Sequence, residues 1–248
     1  MRPALWLLLL SMLLIGCAES PRAPVEQRRG VTGEQPAPTR YTVVKGDTLY
    51  SIAWRYGIDY RELARINRID KSYTIYPGQV IALKGSTAKA VPVAKTAPRK
   101  KTPAAETVTK PSPPRANNTG PADNGAPVST WAWPTSGKVV RGFSGTVHKG
   151  IDIDGKAGDP VRATAAGQVV YAGSGIVGYG NLVIVKHNDI YLSAYAHNRR
   201  LLVAEGQKVN AGERIAEKGS SGTNKVKLHF EIRREGKPVD PKRLLPSR

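Results

Sequence analysis

The pattern of apolar and polar positions divides the chain into segments of different character. After Arg2, residues 4–15 are almost continuously apolar, a run too short to cross a bilayer comfortably as a helix. A basic start, a short apolar run and a small residue before Cys17 read as an export signal. Residues 41–44, Tyr-Thr-Val-Val, predict a short strand, and Lys45-Gly46-Asp47 predicts a turn into a helix capped by Asp47. Leu49, Ile52, Ala53 and Tyr56 follow the i, i+3, i+4, i+7 spacing of one buried helical face, which Gly57 ends. Asp59 and Glu62 have the spacing of a capping box for a second helix, with Tyr60, Leu63, Ala64 and Asn67 on its inner face. Pro77-Gly78 turns the chain into a returning strand at residues 79–83, so the order of this unit is βααβ.

From Trp131 onward the texture changes to short β-branched runs punctuated by glycine. Strands are predicted at residues 139–141, 161–163, 168–172, 182–187, 191–197, 214–216 and 227–233, the density of an all-β sandwich. In the last of these, Leu228, Phe230 and Ile232 alternate with Lys227, His229, Glu231 and Arg233. One face is therefore core and the other a polar surface. Residues 17–40 read as a flexible tether. Residues 85–130, rich in proline and lysine and without an aromatic residue, read as a disordered linker able to hold its neighbours tens of ångströms apart.

Composition narrows the function. The chain has 38 Lys and Arg against 19 Asp and Glu, a formal charge of +19. The excess is spread along the chain rather than focused on one reading helix, so no nucleic-acid partner is expected. A single cysteine excludes an internal disulfide and any multi-cysteine zinc cluster. All four histidines, His148, His187, His197 and His229, lie in the β-rich part. His148 and Asp152 are four apart, Tyr195 and His197 are expected on one strand face, and His229 lies on the polar face of the last strand. Imidazoles and a carboxylate converging in this way suit a zinc site, and ordinary surface residues are the alternative. His187, beside Asn188 and Asp189, reads as a turn residue.

Several motifs resemble known families. Leu14-Ile15-Gly16-Cys17 resembles a bacterial lipobox, which implies cleavage before Cys17 and acylation of that residue; a buried cysteine in an uncleaved anchor is the alternative. Tyr41-Thr-Val-Val-Lys-Gly-Asp47-Thr48-Leu49, Asn67 and Ile75-Tyr76-Pro77-Gly78-Gln79 resemble a LysM module over residues 41–84. That resemblance implies binding of peptidoglycan glycan by Gly46, Asp47, Thr48, Leu49, Ile75, Tyr76, Pro77 and Gly78. His148-Lys-Gly-Ile-Asp152, Gly178-Tyr179-Gly180-Asn181, Tyr195-Ala-His197 and Leu228-His229-Phe230-Glu231 resemble a lysostaphin/LytM-type zinc peptidase domain, assigned to residues 131–248. By that resemblance His148, Asp152 and His229 are metal ligands, and His197 and position 227 are the catalytic histidines.

Position 227 departs from the pattern, because it is a lysine. An ammonium about 5 Å from a dication is repelled by ~6 to 7 kcal/mol at an effective dielectric of 20. It also cannot easily act as a base near neutral pH. The site is therefore expected to be degenerate, a groove containing His197 and Lys227 with no catalytic residue, or with His197 alone if it is active. No cofactor is required, although zinc can be held. The order of lipobox, LysM, basic linker and degenerate LytM domain resembles the NlpD lipoprotein family. That implies an envelope lipoprotein, anchored through lipid to a membrane and facing the periplasm from the outer membrane. It further implies activation of periplasmic N-acetylmuramoyl-L-alanine amidases in septal wall splitting, with peptidoglycan and amidase as partners. A zinc endopeptidase cutting peptide cross-links is the alternative.

Overall fold

The structure is a computed structural model that describes residues 38–85, 128 and 130–248. The predicted signal, Cys17, most of the tether and nearly all of the predicted linker lie outside the described residues. The first described segment is the expected βααβ unit: strand β1 (Arg40–Thr42), helices α1 (Leu49–Tyr56) and α2 (Tyr60–Asn67), and strand β2 (Val80–Ala82). Strands β1 and β2 pair antiparallel, with Tyr41 opposite Ile81. The core holds Leu49, Ile52, Leu63 and Ile81, the inward positions of the apolar pattern.

The caps differ in detail from expectation. Thr48, not Asp47, caps α1: the Ser51 amide donates to Thr48 Oγ1 at 3.0 Å, and the Thr48 amide donates to Ser51 Oγ at 3.0 Å. Asp47 is withdrawn from the helix because its carboxylate accepts from Tyr41 Oη at 2.7 Å and from the Val44 amide at 3.0 Å. Asp59 caps α2 as expected, accepting from the Arg61 amide at 2.9 Å. Glu62 does not complete the box, since Arg65 holds it at 2.6 Å. Asn67 reaches β2 with both ends of its amide, donating to Ala82 O and accepting from Ala82 N, and it also donates to Leu63 O in its own helix.

The C-terminal part contains strands β3 (Val139–Arg141), β4 (Ile151–Ile153), β5 (Pro160–Arg162), β6 (Gly167–Gly173), β7 (Asn181–Lys186), β8 (Tyr191–Leu201), β9 (Lys208–Val209), β10 (Arg214–Lys218), β11 (Leu228–Arg234) and β12 (Lys237–Val239). The main antiparallel path runs β3-β4-β11-β8-β7-β6-β9, with β10 joining β8 to β5 and β12 extending β11. All seven predicted strands are present within a few residues. Strands β4, β9 and β12 were not expected, and β4 is the consequential one because it carries Asp152.

Both faces of this sheet are covered. Ile151, Val169, Val183, Val185, Tyr195, Phe230 and Ile232 form the inner core. On the other face Val170, Leu182, Ile184, Leu192, Ala194 and Ala196 share one apolar cluster with Leu49, Trp54, Tyr60 and Leu63. In β7 the consecutive residues Leu182, Val183, Ile184 and Val185 are all fully buried, the signature of a strand packed on two sides. The βααβ unit therefore lies on the sheet, although the linker is long enough to let it stand tens of ångströms away. Thr48 Oγ1 donates to Val170 O at 3.2 Å, Arg55 Nη2 to Gly175 O at 3.0 Å, and Tyr60 Oη to Asp189 Oδ1 at 3.2 Å.

This packing also corrects the reading of the β11 polar face. Glu231 and Arg233 are each 1% exposed and do not form a solvent-facing surface. The Arg233 guanidinium lies 3.6 Å from the centroid of the Trp54 ring, and its Nη1 donates to Trp54 O at 2.6 Å. Its other side is held by Glu231 Oε2 at 3.0 and 3.1 Å.

Candidate functional site

Strands β4 and β11 are neighbours, and their register sets His229 opposite Asp152. His148 enters from the loop just before β4. Its Nδ1 lies 3.0 Å from Gly142 O, and since a carbonyl can only accept, that nitrogen carries the proton. Its Nε2 then faces Asp152 Oδ1, 3.1 Å away. His229 is arranged in the complementary way: Nε2 lies 3.1 Å from Glu231 Oε1 and Nδ1 lies 2.7 Å from the same Asp152 Oδ1. Glu231 Oε1 also accepts from Tyr179 Oη at 2.7 Å.

His197 reaches this group through a break in β8. Its φ of +65° is a left-handed conformation, and β8 shifts register against β7 nearby. Tyr195 faces the inner core, with its hydroxyl on Ser193 and on the Thr164 amide. The irregularity turns His197 to the opposite side, with its ring centroid 6.1 Å from that of His229. Tyr195 and His197 therefore do not share a face, because an interrupted ladder reverses the alternation on which that expectation rested. His197 Nδ1 donates to Ser221 O at 2.8 Å.

The charges in the group are unequal. Burial alone pushes the Asp152 carboxyl up, but hydrogen bonds from His229 and Lys227 and their charges hold it well below the usual carboxylate range. His229 is pushed down by burial and up more strongly by Asp152 and Glu231, with a net upward shift. His197 moves downward through burial, reinforced by the His229 and Lys227 charges.

His148, Asp152 and His229 can each offer one ligand atom, all within 4.8 Å of one another. His148 Nε2 and His229 Nδ1 converge on one oxygen of Asp152, an arrangement that suits a cation or a proton shared among the three. The groups behind them, Gly142 O on His148 and Glu231 on His229, are the outer partners that fix ligand tautomers in metal sites. This donor set fits a zinc ion. Lys227 competes with it, because its Nζ donates to Asp152 Oδ2 at 2.8 Å and already supplies a positive charge there. Lys227 precedes β11, bridged to Gly219, and its side chain folds inward.

The other sequence-predicted residues divide. Gly46 and Gly78 have φ of +90° and +86°, conformations that favour glycine, and Tyr76 is 68% exposed. Pro77 is exposed beside it and Ile75 half-buried. Leu49 is fully buried in the core and has no surface to offer a sugar, while Asp47 and Thr48 use their side-chain oxygens in the bonds described above. His187 is no simple turn residue: its ring accommodates Ala166 O at 2.9 Å and Ser193 Oγ at 2.7 Å, and burial pushes its pKa down to about 4. Tyr179 and Glu231 lay inside quoted motifs without being assigned a part in the site. Their role depends on a cross-strand meeting that adjacent positions in sequence do not reveal.

Comparison with known proteins agrees with this geometry. Residues 146–241 match the family described as Peptidase family M23, and residues 41–84 match the LysM domain. The chain is 48% identical to the lipoprotein NlpD/LppB homolog of Pseudomonas aeruginosa, with 95% of this chain and 89% of that protein covered. The chain belongs to the NlpD/LppB lipoprotein family. It is also 44% identical to the outer membrane antigenic lipoprotein B of Haemophilus influenzae, covering 83% of this chain and 64% of that one. Against the murein hydrolase activator NlpD of Escherichia coli K12 the identity is 43%, with 84% of this chain and 68% of that protein covered.

Proposed function

We propose that this member of the NlpD/LppB family is a peptidoglycan-binding envelope lipoprotein that activates periplasmic N-acetylmuramoyl-L-alanine amidases without cutting the wall itself. Its domains are a signal peptide (1–16), a tether from acylated Cys17 (17–40), a LysM module (41–84), a linker (85–130) and a LytM-type domain (131–248). The lipid holds the chain at the outer membrane, facing the periplasm. Relatives named murein hydrolase activator support the activating role. On the LysM module, the exposed Tyr76 ring offers a flat apolar face to a sugar, and Gly46 and Gly78 leave open space in which a ring can approach the backbone.

The observation that carries the non-catalytic reading is the Lys227 ammonium on Asp152. It stands where the peptidase pattern has a histidine, and it neutralises the ligand carboxylate on which a metal depends. If zinc is bound, His148, Asp152 and His229 hold it, and the ion supplies Lewis-acid polarisation of a carbonyl and of water. The chain's own contribution is then to orient both imidazoles through Gly142 O and Glu231, and to keep Lys227 against Asp152. The completeness of that donor set favours zinc endopeptidase action as the second reading.

Dye release from labelled sacculi separates the two. The full chain is stripped with chelator, dialysed, and assayed alone, with added zinc, and with candidate amidases. Release only with an amidase is expected. Zinc-dependent release by the chain alone would transfer the case to the endopeptidase.

A further inference from the structure

A cavity of about 800 Å³ opens at the seam between the LysM module and the sheet. One wall is residues 44–47, which include Gly46 and Asp47 of the candidate glycan loop. The other is residues 171–175, at the end of β6 and the turn after it, together with Leu201, Val203, Ala204 and Glu205. The walls are fixed relative to one another, because Thr48 is bonded to Val170 O and Arg55 to Gly175 O. The cavity also continues a surface strip on the module. Val44 lines it and is 54% exposed, and backbone bonds from Val43 to Gln79 O and from Gly78 to Val43 O place that segment beside the loop carrying Tyr76.

The lining identifies the kind of occupant. Leu201, Val203 and Ala204 give aliphatic surface and Ser174 gives a hydroxyl, while the Gly175 amide and carbonyl at the turn are held by Tyr171 Oη and Arg55. Lys45 and Glu205 both line it, and Asp47 is occupied by Tyr41 and Arg55, so no cluster of one sign is present. A polyanion or polycation finds no complementary field there. A neutral chain of rings with apolar faces, hydroxyl rims and acetamido groups matches both kinds of surface.

We propose that one glycan strand crosses the seam, held first by the LysM loop and then by a second subsite on the C-terminal domain formed by residues 171–175 and 203–205. The proposal rests on the glycan-binding reading of the module and extends it to a wall that is not part of the module. Two consequences follow: the footprint is longer than the LysM unit, and a bound strand braces the module against the sheet.

The test uses the full chain and N-acetylglucosamine oligomers of increasing length, from a disaccharide to an octasaccharide. Ser174→Trp and Ala204→Tyr, two exposed positions on separate segments of the second wall, fill the cavity and leave the Thr48–Val170 and Arg55–Gly175 bonds in place. Both variants are expected to bind the shortest bound oligomer as the unaltered chain does and to lose at least about tenfold in affinity for the longest. Hydrogen exchange at residues 171–175 is expected to slow with the long oligomer and not with the short one. Unchanged affinity of both variants at every length, or unchanged exchange at this turn, overturns the second subsite while leaving LysM binding intact. Failure of the unaltered chain to bind any oligomer removes the module's glycan reading, and the extension with it.

Discussion

Lys227 and His187 show how far single residues depart from what their neighbours in sequence suggest. Lys227 is bound to the carboxylate that a metal needs, so replacing it should release a site whose other parts are in place. Lys227→His is expected to raise zinc affinity by at least about a hundredfold, which is under half of the ~6 to 7 kcal/mol repulsion an ammonium exerts at 5 Å. Titration of both proteins in metal-buffered solution checks this, and equal affinities would mean that the ammonium does not oppose the ion. His187 has a folded pKa of about 4, below its unfolded value of about 6.5, so folding favours its neutral form. Its contribution is therefore fully present above pH 6.5 and is lost as the pH falls towards 4, by at most about 3 kcal/mol. Melting temperatures across that window should fall more steeply for the unaltered protein than for His187→Gln. Parallel curves would show that the ring stays solvated. Nothing in the Val-Lys-His-Asn sequence around His187 signalled burial, because that depends on Ala166, far away in the chain.

At the scale of elements, apolar periodicity and β-branched runs were enough to place the helices and most strands, whereas the metal-ligand group was legible only through motifs that resemble a LytM-type domain. The sequence did not disclose what happens where an element is short or interrupted. Strand β4 has only three residues, and the turned backbone at His197 reverses the face expected from alternation. The polar side of β11 misled for another reason: alternation shows which face is polar, not whether another element covers it. Arg233 and Glu231 are buried because the module's α1 brings Trp54 over them. That contact gives a test of the packed arrangement in solution. Trp54→Ala removes a large buried ring, at a cost of about 3–5 kcal/mol. Arg233→Met leaves Glu231 without its cation, at a similar cost. The double variant should cost less than the sum of the two by about 1 kcal/mol or more, as contacting residues do. Strictly additive denaturation energies would contradict the contact.

For the molecule as a whole, the packing changes what the LysM module does. A module swinging on a linker can be removed with little effect on the domain it leaves behind, and the long proline- and lysine-rich segment invites that view. The sheet argues otherwise. Val170, Leu182, Ile184, Leu192 and Ala194 form an apolar face that the module covers, and uncovering a patch of that kind promotes self-association. Each aliphatic side chain returned to water costs about 1.5–3 kcal/mol when fully exposed, so several together exceed much of the stability of an ordinary domain. Deleting residues 41–84 is therefore expected to lower the melting temperature of the remainder and to cause self-association. Amidase activation should decline together with sacculus binding, not survive its loss. Substituting Tyr76→Ala in the intact chain should instead weaken sacculus binding while leaving the melting temperature unchanged, because that ring is exposed and covers none of the sheet. Calorimetry, sedimentation and sacculus pull-down on the two proteins distinguish these roles. A deletion that melts like the full chain and stays monomeric would mean that the module rests on the sheet without supporting it.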